Sequence, residues 1–193
     1  MLTLNVNEIF YSLQGEGKRT GEPSIFIRLA GCNKDCFFCD TDHTDFKEMG
    51  LGELREAIQS YSPCKYIVWT GGEPALQLND TIIDYFKQYG YKQAIESNGS
   101  LPLPKGLDYI TISPKGNIHA SIKKVNEIRV LYPYDFDKQS LLDVKVECDN
   151  IYISPAFNSL KPNYTHINEA VKLCKENPQW ALSIQMHKIL NIA

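Results

Sequence analysis

The chain has 193 residues, 43% hydrophobic and 22% charged, an ordinary globular composition that excludes disordered, collagen-like and low-complexity classes. Its 20 Lys and Arg face 23 Asp and Glu, giving a net charge of −3 and no basic stripe to bind nucleic acid. No apolar run approaches the roughly 18–20 residues of a membrane helix, so no membrane partner is expected. The start, MLTLNVNEIFYSLQGEG, lacks the basic and apolar regions of a secretory signal, and a soluble, cytoplasmic protein is expected. At roughly 100–200 residues per domain the length predicts one domain, 1–193. Such a chain buries about 70% of its unfolded surface and needs no disulfide staples.

Short β-rich runs alternate with helical ones along the chain. SIFIRLAG (24–31) alternates as a strand and stops at Gly31, and LGELREAIQSY (51–61) places Leu54, Ile58 and Tyr61 at helical spacing. KYIVWT (65–70) is a β-branched and aromatic run stopped by Gly71-Gly72. A helix over 79–89 opens on Asn79, stripes Ile82, Ile83 and Phe86, and ends at Gly90. Further strands are predicted over 92–96, 108–113, 127–132, 150–154 and 180–187, with a helix over 164–176 before Pro178. Strand–helix alternation without repeats points to a parallel α/β sheet or barrel. A full eight-unit barrel, typically ~250 residues, does not fit the length, whereas a shortened, partly open parallel β/α barrel does. Ligands of such folds bind at the carboxyl ends of the strands. The polar motifs lie there: 31–41, 70–74, 96–99, 113–115, 154–155 and 185–187.

Cys32, Cys36 and Cys39 form C-x3-C-x2-C in GCNKDCFFCD. Thiolates are soft ligands for iron–sulfur clusters or zinc. A structural zinc site wants four protein ligands, so zinc here would require His43 or the isolated Cys64 as the fourth. The alternative is a [4Fe–4S] cluster with three irons held by protein and the fourth open to a small ligand. Cys148, in an apparent surface segment, and Cys174, in a helix, are read as bystanders.

The C-x3-C-x2-C after one strand and GGEP after the next resemble the radical S-adenosylmethionine (SAM) superfamily. EIFYSLQGEG (8–17), GEPSIFIRLAGC (21–32), CDT (39–41), TGGEP (70–74), ESNG (96–99), SPK (113–115) and HKILNIA (187–193) narrow the resemblance to the 7-carboxy-7-deazaguanine synthase family. The match spans essentially the whole chain, in the family's order. The resemblance implies a single radical SAM domain with an N-terminal substrate loop (8–17) and a cluster loop (31–44). It implies ring contraction of 6-carboxy-5,6,7,8-tetrahydropterin to 7-carboxy-7-deazaguanine with loss of ammonia, in 7-deazapurine (queuosine) synthesis. The cofactor carries chemistry that no side chain can do. By resemblance, the methionyl group of SAM chelates the open iron, one-electron reduction yields a 5′-deoxyadenosyl radical, and SAM is regenerated. A small electron donor such as flavodoxin or ferredoxin and a homodimer are implied as well. The nearest enzymatic alternative is an activating enzyme for glycyl-radical proteins, which would not need SLQGEG or an inward Arg28. The non-enzymatic one is a zinc-stabilised binding module.

Site residues carry over by resemblance, position by position. Phe38, Cys39 and Asp40 lie along SAM, Gly72 meets its methionyl amino group, and Ser113, Pro114 and Lys115 contact it, as do Ser154, Pro155, Ala156 and Phe157. Thr41 ligates Mg²⁺ through its hydroxyl; Leu13, Gln14, Gly15, Glu16 and Thr70 meet the pterin; and the terminal carboxylate at Ala193 closes on it. Strand alternation supports two further positions. Ile25, Ile27 and Leu29 share one face, leaving Arg28 inward with Ser24, Phe26 and Ala30. A buried guanidinium needs an anion: Glu16 in a salt bridge, or the substrate carboxylate held by two parallel hydrogen bonds. Over 180–187, Ser183, Gln185 and His187 alternate with Leu182, Ile184 and Met186, and Gln185 and His187 are expected to read pterin edges. The middle, 117–149, matches no motif.

Overall fold

A computed structural model describes residues 2–39, 41–142 and 144–192. The strands are β1 (Thr3–Leu13), β2 (Pro23–Leu29), β3 (Lys47–Gly50), β4 (Tyr66–Gly71), β5 (Lys92–Ser97), β6 (Tyr109–Ile112), β7 (Lys124–Tyr132), β8 (Glu147–Pro155) and β9 (Trp180–Leu182). The helices are α1 (Leu51–Gln59), α2 (Asp80–Gln88), α3 (Lys138–Leu142), α4 (Tyr164–Glu176) and α5 (Met186–Leu190). Among the described residues the strands form one sheet in the order β3-β1-β2-β4-β5-β6-β7-β8-β9. From β2 onward each pair is parallel, while β1 runs antiparallel to both β2 and β3. Parallel neighbours need crossovers, and α1, α2 and α4 supply three of them.

The two faces of β2 separate as its alternation predicts. Ile25, Ile27 and Leu29 are fully buried with Ile67, Trp69 and Ile95 against Leu54 and Ile58 of α1 and Ile82, Ile83 and Phe86 of α2. On the other face, Phe26 packs with Val68 and Ala94 in a small inner core, and Phe10 stacks on Phe26 at 4.9 Å. A second outer core gathers Ile112, Val125, Ile128, Val130 and Ile153 with Ala170 of α4 and Leu141 of α3. Two helices start on side-chain caps: Asn79 accepts from Ile82 N at 3.1 Å and Asn163 from His166 N at 3.2 Å. These bonds satisfy amides that the first helical turn leaves open.

Three expectations are corrected. The segment read as a loop over 8–17 is strand as far as Leu13, and β3 is a further antiparallel strand; β1 pairs with β2 from Val6 to Leu13 across a bulge. The strand expected over 180–187 ends at Leu182, and Met186 opens a short helix. Past Leu182 the chain leaves β8: Ser183 N still reaches Ile153 O at 3.0 Å, but Met186 N bonds Gly15 O at 2.9 Å. Cys148, expected in a surface segment, lies on β8 and packs against the second core.

Candidate active site

The carboxyl ends of the parallel strands open into two adjoining cavities of about 450 and 370 Å³. Glu16, Thr41, Thr70, Glu96, Gln185 and Lys188 line both and form the seam between them. Cys32, Cys36, Cys39, Phe38, Gly72, Ser113, Lys115, Ala156 and Phe157 line the first cavity. Leu13, Gln14, Gly15, Arg28 and His187 line the second, with the flat rings of Phe10 and Phe26. Pro114 faces a different cavity, on the far side of the Lys115–Asp135 pair. Ser154 and Pro155 are buried in the end of β8 and line neither cavity. Asp40 and Ala193 lie outside the described residues.

The cysteine loop runs without helix or strand between β2 and β3 and is anchored by backbone bonds at its base. Gly31 N donates to His43 O at 2.9 Å, and Glu73 N donates to Gly31 O at 2.9 Å. Gly72 is glycine for space: a Cβ there would lie 2.0 Å from Gly31 O. The Glu73 carboxylate is fully buried and accepts from Ser97 Oγ (2.8 Å), Asn98 N (2.7 Å) and Ala75 N (2.9 Å), fixing GGEP to the end of β5. Asn98 then donates to Asn33 Oδ1 at 2.9 Å, so ESNG holds the cysteine loop in turn.

Among the described residues no three His, Cys, Asp or Glu groups already sit as a metal-holding cluster. The donor set nonetheless fits an iron–sulfur cluster, with three soft thiols on one cavity wall and none bonded to another cysteine. Burial pushes the Cys36 thiol up, with the Lys115 ammonium acting against it. Cys64, one candidate to complete a zinc site, lies in a separate cavity with Pro23, Lys65 and Lys92 near the amino ends of β2, β4 and β5. Above the loop, Phe38 stacks on Tyr134 with ring centroids 5.2 Å apart and planes within 5°. Lys115 donates to Ser113 Oγ at 3.0 Å and pairs with Asp135, whose carboxyl burial pushes up despite that ammonium.

The turn after β1 docks residue by residue. Gln14 Nε2 donates to Glu96 at 3.0 Å, and Glu16 accepts from Ser154 Oγ. A Cβ on Gly15 would meet the His187 ring at 2.2 Å, and one on Gly17, at φ +73°, would meet Glu127 Oε1 at 2.0 Å. Arg28 points into the second cavity as its alternation predicts, 23% exposed, but its protein partner is Glu8 at 3.3 Å rather than Glu16. Glu16 instead faces Arg129 at 3.7 Å. Arg28 Nε donates to Glu8 and the guanidinium lies over the Phe10 ring, 5.7 Å from its centroid; among the described residues no acceptor holds its terminal nitrogens.

Arg129 was missed by motif reading, although EIRVLY puts Glu127 and Arg129 on one strand face. It faces Glu127 at 2.7 Å and Glu96 at 3.2 Å besides Glu16. Burial works against the guanidinium charge, but Glu96, Glu16 and Glu127 outweigh it and hold the pKa above its ordinary value. Burial pushes the Glu96 carboxyl up; Arg129 opposes this, and the Glu127 and Glu16 carboxylates add to it. Gln185 is only 7% exposed, and its Oε1 is buried at the seam without a hydrogen-bond partner among the described residues.

The arrangement thus offers a soft-metal wall, an aromatic cavity with a cation, and a carboxylate cluster between them. The Radical SAM superfamily profile matches residues 26–177. The chain is 38% identical to the 7-carboxy-7-deazaguanine synthase of Bacteroides thetaiotaomicron over 188 residues, 97% of each chain. It is 38% identical to that of Burkholderia multivorans over 213 residues, covering 99% of this chain and 100% of the relative. The crystal structure of QueE from Escherichia coli superposes with a TM-score of 0.79 at 26% identity, over 96% of this chain and 95% of that one. With motifs, fold and full-length relatives in agreement, the chain belongs to the radical SAM superfamily and, within it, to the 7-carboxy-7-deazaguanine synthase family.

Proposed function

We propose that this chain converts 6-carboxy-5,6,7,8-tetrahydropterin to 7-carboxy-7-deazaguanine with loss of ammonia, for 7-deazapurine (queuosine) synthesis. The observation that carries the reading is the pair of joined cavities, one walled by the three cysteines and one by Arg28, Phe10 and the turn at Gln14–Glu16. Cys32, Cys36 and Cys39 would hold a [4Fe–4S] cluster; Phe38, Gly72, Ser113, Lys115, Ala156 and Phe157 would hold SAM. When bound, this pair supplies the one-electron hydrogen abstraction that side chains cannot. Thr41, which lines both cavities, would offer Mg²⁺ its hydroxyl oxygen, a hard donor suited to that ion, with oxygens of the substrate and water as further ligands.

The chain's own residues bind and orient. The terminal nitrogens of Arg28 suit a carboxylate held by two parallel bonds. Phe10 and Phe26 offer flat surface to the pterin ring, and the unpaired Oε1 of Gln185 accepts one of its N–H groups. His187 would close the substrate end. A homodimer in the cytoplasm, reduced by flavodoxin or ferredoxin, completes the proposal. Anaerobic incubation of the reconstituted protein with the tetrahydropterin, SAM, Mg²⁺ and a strong reductant tests it. Accumulation of 7-carboxy-7-deazaguanine with stoichiometric ammonia is expected; unchanged pterin under these conditions would overturn the reading.

A further inference from the structure

Three carboxylates, Glu16, Glu96 and Glu127, surround the single guanidinium of Arg129 where the two cavities meet. They are not equivalent. Glu127 is sealed: its Oε1 accepts from Arg129 Nε at 2.9 Å and Nη2 at 2.7 Å, and its Oε2 from Lys18 N and Tyr109 Oη, both at 3.0 Å. Glu127 lines neither cavity and is 1% exposed. Glu16 Oε1 accepts from Ser154 Oγ, and its Oε2 faces Arg129 Nη1 at 3.7 Å, an ion-pair contact beyond hydrogen-bond distance.

Glu96 differs from both. Its two donors, Gln14 Nε2 at 3.0 Å and Arg129 Nη2 at 3.2 Å, fall on the same oxygen, Oε1. Among the described residues no donor reaches Oε2, and Glu96, 20% exposed at its side chain, lines both cavities. The buried, unpartnered Oε1 of Gln185 lines the same seam, which marks a place where a ligand brings its own N–H groups.

Among the described residues Arg129 is the one cation in ion-pair contact with these three carboxylates, of which Glu127 is buried and Glu16 and Glu96 are half-buried, and a single charge so shared leaves the cluster favouring retention of a proton. The tightest pairing of Arg129 is with Glu127, and the free oxygen belongs to Glu96. We infer that Glu96 is a catalytic acid–base residue, protonating the departing nitrogen and then deprotonating the ring carbon. The inference rests on the pterin ring contraction proposed above.

The step balances without a redox partner. The carbon–nitrogen bond breaks with its electron pair on nitrogen, and that nitrogen takes the proton from Glu96 Oε2 and leaves as ammonia. The carboxylate so formed takes the proton released from carbon as the double bond of the five-membered ring forms. Glu96 ends protonated, as it began, and the net change is loss of NH3. Burial and the neighbouring carboxylates, which push this carboxyl upward, suit it to hold the proton between turnovers.

The charged groups around it are Arg129 and Glu127 from β7, Glu16 from the turn after β1, Arg28 from β2, and His187 and Lys188 from α5. Next to it, β4 offers Thr70, and β6 offers Tyr109, whose phenol is held protonated by burial and by Glu127.

The test compares wild type, Glu96→Gln and Glu96→Asp as holoenzymes with the tetrahydropterin, measuring substrate Kd and the pH profile of product formation. General acid–base catalysis typically contributes 10²–10⁴-fold. Glu96→Gln is therefore expected to form product at least about 100-fold more slowly, with substrate Kd within about threefold of wild type. The wild-type rate should fall as pH rises through the Glu96 titration, and that limb should vanish in Glu96→Gln. Glu96→Asp keeps a carboxyl further from the substrate, so it should run slowly but keep the limb. If the Gln variant fails to fold, the limb in the Asp variant decides. Product formation by Glu96→Gln near the wild-type rate, persistence of its alkaline limb, or loss of the limb in Glu96→Asp would overturn the inference. Wild-type turnover in the same assay reports separately on the substrate reading; its absence would overturn both.

Discussion

Arg28 has its Nε on Glu8 at 3.3 Å, in a pair 23% and 52% exposed at the side chains. Such an open pair contributes only about 0–1 kcal/mol, too little to explain a cation held in a cavity wall. Truncating a charged hydrogen-bond partner of a bound substrate costs on the order of 2–5 kcal/mol. Arg28→Ala should therefore raise the pterin Kd by roughly 30-fold or more, at about 1.4 kcal/mol per decade, with SAM affinity and cluster content unchanged. Arg28→Lys should recover part of the loss, because an ammonium lacks the planar fork. Anaerobic substrate titration decides; unchanged affinity with a lowered Tm, matched by Glu8→Gln, would assign the pair to the scaffold. Glu96 carries a separate expectation for stability. Burial and the neighbouring carboxylates raise its folded pKa above the ordinary glutamate value, so the folded state binds more protons than the unfolded chain between the two. Stability should fall as pH rises through that window. Glu96→Gln should flatten this slope in thermal melts and gain relative to wild type on the alkaline side. A slope equal in both proteins would place the titrating group elsewhere.

The turn between β1 and β2 shows how an element converts a motif into a site. Gly17 takes φ +73°, a region costing an L residue roughly 1–2 kcal/mol, and a Cβ there would also strike the Glu127 carboxylate. Gly21 takes φ +86° but would meet nothing within 4 Å. Gly21→Ala should thus lower Tm by about 2–8 °C from the backbone term alone. Gly17→Ala should lower it further and also weaken pterin binding, since Glu127 and Arg129 must shift. Calorimetry of the two variants, with substrate titration, checks this; equal losses would mean that the turn is not held by Glu127.

Across the whole molecule, the sheet order sends the sulfurs to different places. Cys32, Cys36 and Cys39 leave the carboxyl end of β2 into the first cavity; Cys64 precedes β4, Cys148 is on β8 and Cys174 on α4. Replacing any of the first three by Ala should abolish iron–sulfur absorbance and SAM cleavage, because one iron loses its ligand. Replacing Cys64, Cys148 or Cys174 should leave both intact. A cluster surviving in the variant with all three loop cysteines replaced would refute the assignment. Among the described residues no helix is long and apolar enough to cross a membrane, in keeping with a sheet whose helices cover its outer cores.

What the sequence by itself determined is local in origin. The period of two along β2 separated Ile25, Ile27 and Leu29 from Arg28; the Asn79 cap and apolar stripe marked α2, and the position before Pro178 marked α4, each to within a residue or two. The cysteine spacing and the strand-end motifs named most of the cavity walls, because a turn or loop writes its geometry into neighbouring residues. Only the tertiary structure decided which groups meet. Glu16 and Ser154 touch across 138 positions, and Arg129 reaches Glu96 across 33, distances over which no periodicity or propensity carries information. The same physics ended β9 early. The alternation of 180–187 suits a strand, but Gly15 O captured the Met186 amide, and a backbone donor forms whichever bond the assembled neighbours offer.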